Sequence, residues 1–149
     1  MTPTLLFTYG SLLRAYPGGL SRRIHGACRL LGPARITGHL LDLGEYPALV
    51  YDPATGAQVE GELLDLKADE GLLALLDAYE GYDPRLPPGE NLYQRKRLPV
   101  ERLEGRAVVE AWVYVWQGPA DAYPRIPYSN YLNYFWKHEA HRRFARRPH

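Results

Sequence analysis

The sequence predicts an α+β fold: a small, mostly antiparallel β-barrel of about six strands with one central and one C-terminal helix. Three observations carry this expectation. Short apolar segments rich in β-branched and aromatic residues alternate with Gly-, Pro- and Asp-containing turns. Residues 68–81 interrupt that rhythm with apolar positions at helical spacing. A strongly β-forming pair, residues 93–102 and 107–116, then precedes a second amphipathic stretch that starts at Ser129. A sheet of this size removes its exposed edges most simply by closing, and the mouth of such a barrel suits a small ligand.

Taken in order, residues 4–9 read as the first strand. Tyr16-Pro17-Gly18-Gly19 is a turn, and residues 20–31 fit either a short helix or a loop. Residues 34–43 follow Gly32-Pro33 and read as a strand, interrupted by Tyr46-Pro47 and resumed over residues 48–51. Asp52-Pro53-Ala54-Thr55-Gly56 is a hairpin-type loop whose returning strand is residues 58–66. Ala68-Asp69-Glu70 supplies an acidic helix start, and Leu72, Leu73, Leu75, Leu76 and Tyr79 its apolar face. Gly81 is placed to end that helix before Asp83-Pro84. Residues 85–91 form a loop. Leu103-Glu104-Gly105-Arg106 joins the strand pair, and Ser129 caps a last helix through Phe144, with Tyr131, Leu132, Phe135 and Trp136 on its apolar side.

The totals limit the function classes. A chain of 149 residues, 46% hydrophobic and 23% charged, supports one folded domain over residues 1–149. The net charge of +1 gives no bulk attraction to nucleic acid or membranes. No apolar run approaches the length of a membrane span, and the opening residues lack the features of a secretion signal. Cys28 is the sole cysteine, which excludes an intrachain disulfide and suits a reducing cytoplasm.

Glu80 is the first candidate catalytic residue. It falls at the predicted C-terminus of the central helix, where the macrodipole disfavours a carboxylate by ~0.3–1 kcal/mol. Tyr79 and Tyr82 flank it and would desolvate it further. Both effects raise the pKa, and a carboxyl with a raised pKa can take and return a proton near neutral pH. On local physics alone an ordinary solvated glutamate remains the competing reading.

Several short motifs converge in series: Tyr9-Gly10-Ser11-Leu12, Gly38-His39-Leu40, Tyr46-Pro47, Val59-Glu60-Gly61-Glu62-Leu63, Leu76-Asp77-Ala78-Tyr79-Glu80-Gly81, Tyr93-Gln94-Arg95 and Ala111-Trp112-Val113-Tyr114. In this order they make the chain resemble the gamma-glutamylcyclotransferase-like proteins, specifically their gamma-glutamylamine cyclotransferase-like branch, over roughly residues 5–116. The resemblance implies that family's barrel, and release of pyroglutamate from a small gamma-glutamyl amine or peptide. It implies that Glu80 is the catalytic acid–base, and that Tyr9, Gly10, Ser11, Leu12, Tyr46 and Arg95 hold the substrate. It requires no metal or organic cofactor. Gly10 would then permit a turn that exposes successive amides to a substrate anion. The alternative is a non-catalytic barrel that binds a carboxylate-bearing metabolite.

Other constellations carry less. His138 and His141 are three apart, whereas metalloprotease histidines stand four apart. Ser11 as a nucleophile needs a histidine beside it, and nothing in the spacing brings His25 or His39 there. Glu62 is a second carboxylate that fits either the pocket or a strand-end ion pair. Arg95 fits a pocket ion pair or a structural role. Asp77 reads as a structural or polar-face residue. The basic tail, residues 141–147, reads as a helix end complementing its own dipole rather than a nucleic-acid site. Oligomeric state is open.

Overall fold

The computed structural model describes residues 4–67, 70–87 and 90–146. The elements run β1 Leu5–Thr8, α1 Gly19–Ala27, β2 Arg29–Asp42, β3 Pro47–Tyr51, β4 Gln58–Asp65, α2 Glu70–Glu80, β5 Tyr93–Arg102, β6 Val108–Trp116, β7 Arg125–Ile126, α3 Tyr131–Phe135 and α4 Glu139–Ala145. The expected α+β barrel is present. Its sheet runs β3-β2-β4-β1-β6-β5, and a further β2–β5 pairing closes five strands into a barrel, leaving β3 and β7 outside. All pairings between the named strands are antiparallel except β1 with β6, which joins Leu6 to Trp112 in parallel.

One long strand explains how barrel and outer strands coexist. The first part of β2 pairs with β4 from Arg29 to Thr37 and with β5 at Ala34 and Arg35. Its last part, Gly38 to Asp42, pairs with β3 and β7 instead. The sequence reading began this strand at residue 34 because Gly32-Pro33 looks like a turn. A register shift between Leu30 and Gly32 absorbs those residues within the strand. The ambiguous residues 20–31 resolve into α1 followed by the start of β2.

Alternation sorts the core into two faces. Phe7, Ile36, Val59, Leu63, Val100 and Val113 come from all five barrel strands and are at most 2% exposed, so side chains fill the lumen. The neighbours of opposite parity, Leu6, Leu64 and Tyr114, pack instead with Ile24 of α1 and with Leu72 and Leu76 of α2. Gly61 shows why β1 and β4 approach so closely. A Cβ at that position would stand 2.0 Å from the Thr8 carbonyl oxygen.

The α2 helix ends as the sequence predicts. Gly81 takes φ +72°, its amide bonds Ala78 O and the Tyr82 amide bonds Asp77 O, the two bonds of a Schellman closure. Glu80 is the last residue before it. The acidic start expected at residues 68 and 69 lies outside the described residues, as do residues 88 and 89 of the following loop.

The C-terminal helix differs from expectation. It is two short helices, with Trp136, Lys137 and His138 between them. His138 is extended at φ −126°, and its Nδ1 meets the Tyr134 carbonyl oxygen at 2.7 Å. Asn130, not Ser129, is the cap, accepting from the Leu132 amide at 2.9 Å. The Ser129 carbonyl is occupied by the Glu60 amide at 2.8 Å. Trp136 is 55% exposed, outside the apolar face on which the pattern set it.

Candidate active site

A cavity of about 360 Å³ opens where β1 gives way to the Tyr9–Leu12 turn. Leu6 and Phe7 of β1 are among its lining residues. Tyr9, Gly10, Ser11, Leu12, Tyr46 and Glu80 all line it. Its size is at the low end for small-molecule sites, which matches a compact ligand.

Gly10 is needed here for space, not for an unusual backbone angle. Its φ is not positive, but a Cβ there would stand 2.8 Å from Pro47 Cγ. The turn is tied down through its carbonyls. Gly10 O accepts from the Leu13 amide at 3.0 Å, Leu12 O meets His25 Nε2 at 2.8 Å, and Leu13 O accepts from Ser21 Oγ at 2.6 Å. Glu62 Oε1 accepts from the Arg14 amide at 2.7 Å. Among the described residues none accepts from the amides of Gly10, Ser11 or Leu12. Three consecutive amides of this turn therefore keep their hydrogen-bonding capacity unused among the described residues. His25 and Glu62, weighed as a base and as a second pocket acid, anchor this loop instead, and neither lines the cavity.

Glu80 reaches the cavity from the end of α2 and is only partly exposed. Burial pushes its carboxyl from 4.5 up to about 7. Among the described residues none donates a hydrogen bond to it, so nothing offsets the lost hydration. Its charge in turn raises the phenols of Tyr9, Tyr93, Tyr114 and Tyr79, after burial in each case. The acid therefore sits amid four phenols, all of which line the same cavity. Tyr79 OH donates to Ser11 Oγ at 3.0 Å, linking the helix that carries the acid to the turn that carries the amides.

Arg95 is the one predicted site residue that does not line the cavity. Its Nε lies 3.4 Å from Asp77 Oδ1, and its guanidinium stacks 4.5 Å from Trp112 and 5.6 Å from Tyr82. Asp77, 8% exposed, accepts from Tyr114 OH at 2.7 Å, and the Tyr114 carbonyl accepts from Tyr9 OH at 2.6 Å. Arg95 thus stands behind two walls of the cavity. Tyr93, Tyr114, Pro47 and Phe144 line the cavity and were not singled out by the sequence reading. Tyr93 and Tyr114 lay within recognised motifs but looked like strand-forming residues. Phe144 had no signal beyond helical periodicity.

His141 Nε2 and Nδ1 meet Asp42 and Tyr131 at 2.7 and 2.6 Å. Among the described residues no group of three His, Cys, Asp or Glu side chains is placed to hold a metal. The tail arginines 142, 143 and 146 pair with Glu139 at 2.7, 3.7 and 3.3 Å, and Arg147 lies outside the described residues. No described helix is long and apolar enough to cross a membrane.

Comparison with known proteins adds the decisive finding. Residues 6–133 match the model of the gamma-glutamyl cyclotransferase, AIG2-like family. The chain belongs to that family. Its cyclotransferase-like fold recurs in a crystal structure of an AIG2-like protein from Mus musculus, with 26% identity, a TM-score of 0.65, and coverage of 85% of this chain and 87% of that one. The ytfP protein of Escherichia coli is 26% identical, with a TM-score of 0.56 over 88% of this chain and 98% of its own. An uncharacterised protein of Pyrococcus horikoshii shares the fold alone, at 17% identity and a TM-score of 0.60, covering 93% and 98% of the two chains. No curated protein sequence matches the chain. In the AIG2-like family model the match includes the Tyr9–Leu12 turn, Tyr46, Glu80 and Arg95, and stops before α4.

Proposed function

We propose that this single domain is a cytoplasmic gamma-glutamyl cyclotransferase that releases pyroglutamate from a small gamma-glutamyl amine or peptide. One observation carries the reading: a partly buried acid pushed up to about 7 lines the same small cavity as Gly10, Ser11 and Leu12, whose backbone amides have no acceptor among the described residues. The chemistry is intramolecular. The substrate's own alpha-amine attacks its side-chain carbonyl, and holding the glutamyl chain bent brings the two together. Such preorganisation is worth up to ~7–11 kcal/mol.

Three tasks remain for the protein. The Glu80 carboxylate takes a proton from the alpha-ammonium, which frees the nitrogen lone pair to form the new C–N bond. The tetrahedral oxyanion, or the substrate carboxylate, is met by the amides of Gly10, Ser11 and Leu12. The protonated Glu80 then returns its proton to the departing nitrogen as the old C–N bond breaks. The ring nitrogen sheds its second proton to the released amine, so the products are pyroglutamate and an ammonium ion, with no net change in oxidation state. Tyr9, Tyr46 and Ser11 shape the binding wall. Arg95 contributes from behind, through Asp77 and Tyr114. The unpaired Cys28 fits the reducing cytoplasm named in this reading.

The experiment is incubation with a panel of gamma-glutamyl amines and peptides, with pyroglutamate detected by mass spectrometry. Turnover is expected for at least one compound, and Glu80→Gln is expected to lower it at least ~10²-fold while the ligand still binds. An unchanged rate removes Glu80 from the chemistry. Binding without turnover in the unaltered protein favours a silent carboxylate-binding barrel.

A further inference from the structure

The C-terminal helix carries observations that the cyclotransferase chemistry does not use. It lies beyond residue 133, where the family match stops, yet its Phe144 lines the cavity. The Phe144 ring lies 5.3 Å from that of Tyr46, tilted by 46°. Tyr46 is 38% exposed and Phe144 half-buried, whereas Leu6 and Phe7 on the inner side are sealed. The aromatic pair therefore stands at the outer rim.

A second set of contacts fixes that pair. His141, one helical turn before Phe144, is 1% exposed and meets Asp42 Oδ1 at 2.7 Å and Tyr131 OH at 2.6 Å. Asp42 ends β2, just before the turn that carries Tyr46. Its Oδ1 also accepts from the Gly44 amide at 2.7 Å, and Tyr134 OH donates to Oδ2. One carboxylate thus joins the helix bearing Phe144 to the turn bearing Tyr46. Moving the backbone that carries either ring requires breaking these largely part-buried hydrogen bonds, so the rim resists a larger ligand.

We infer that Phe144, held against Tyr46 by the Asp42–His141 bond, is a specificity-determining residue that limits the bulk of the departing amine. This rests on the cyclotransferase reading. There the glutamyl half faces Glu80 and the Gly10–Leu12 amides, so the departing half faces the remaining wall. Amides of short, unbranched amines fit beneath the aromatic pair, and amides of broad or branched amines collide with it.

The test compares gamma-glutamyl-methylamide with gamma-glutamyl-cyclohexylamide on the full chain and on Phe144→Ala and Phe144→Leu, the latter retaining an apolar side chain on α4. Pyroglutamate release gives kcat/KM for each compound. Affinities are measured in parallel on proteins that also carry Glu80→Gln. The cyclohexylamide-to-methylamide ratio is expected to rise at least ~tenfold in Phe144→Ala and less in Phe144→Leu, within the ~10–200-fold that small changes in a hydrophobic pocket give. The affinity ratio should follow. If both compounds change by the same factor in both variants, Phe144 is only structural and the inference is overturned. If the unaltered protein neither binds nor turns over these two compounds or any member of the gamma-glutamyl panel, the cyclotransferase reading is overturned, and this inference with it.

Discussion

Glu80 owes its behaviour to where a helix stops. The Schellman closure at Gly81 leaves the side chain before it at the cavity, with phenols around it and no hydrogen-bond donor among the described residues. The direction of its shift sets a pH signature. A carboxyl raised from 4.5 to about 7 stays protonated in the folded state while the unfolded chain ionises. Its folded-state preference is fully present below pH 4.5 and is lost as pH rises to about 7. Wild type should therefore lose stability relative to Glu80→Gln across that window, by up to roughly 3 kcal/mol, in urea titrations at successive pH values. The rate should move oppositely, because the base is the ionised form: kcat/KM is expected to climb with pH to a plateau above about 7. A flat stability difference together with a flat acid limb would contradict the raised carboxyl. The sequence disclosed the direction of this shift; Tyr79 lines the cavity as expected, whereas Tyr82 does not and lies against Arg95 instead. The Ser11–Tyr79 bond depends on side chains 68 positions apart, which no local pattern contains.

Between strands and helices, two contacts set the geometry that the site uses. Gly61 lets β1 and β4 meet, so Gly61→Ala forces a methyl against the Thr8 carbonyl and is expected to cost ~1–3 kcal/mol in chemical denaturation. An unshifted midpoint would mean that the strands can separate without loss. Asp77 ties α2 to Arg95 on β5 and Tyr114 on β6. Asp77→Ala leaves the arginine buried without its acid, and a loss of ~3–5 kcal/mol is expected by calorimetry. Elements with strong local signals were legible: β5 and β6 through their β-branched and aromatic runs, α2 through its leucines and Gly81. Those decided by distant partners were not. The two-residue β7 exists because Leu40 and Leu41 offer it an edge. The break between α3 and α4 contains neither Gly nor Pro, and His138 Nδ1 reaching back to Tyr134 O is visible only in three dimensions.

The whole chain is held at its C-terminal side by the Asp42 cluster. Burial pushes the Asp42 carboxyl up, but hydrogen bonds from Tyr134, the Gly44 amide and His141 outweigh it, and the net shift is downward. An acid held below its usual value of 3.8 contributes stability present above that pH and lost as pH falls through the folded value. Acid titration followed by circular dichroism should show part of the helical signal lost on that limb, and Asp42→Asn should remove most of this dependence while lowering stability at pH 7. An identical acid limb in the variant would assign the sensitivity to other carboxyls. The family resemblance covered the barrel, the turn and Glu80, because those features recur in short motifs. It did not reach the helix that walls the rim, which lies past the matched residues.

The parallel β1–β6 pairing has a consequence for how the molecule is made. β1 leaves the ribosome long before its neighbour β6: until residues 108–116 emerge, β1 lacks a partner on one side and β5 has only its short pairing with β2. A nascent chain halted in the loop after α2 therefore presents unpaired strand edges to chaperones and to other nascent chains, and assembly of the cavity is a late event in the chain's synthesis.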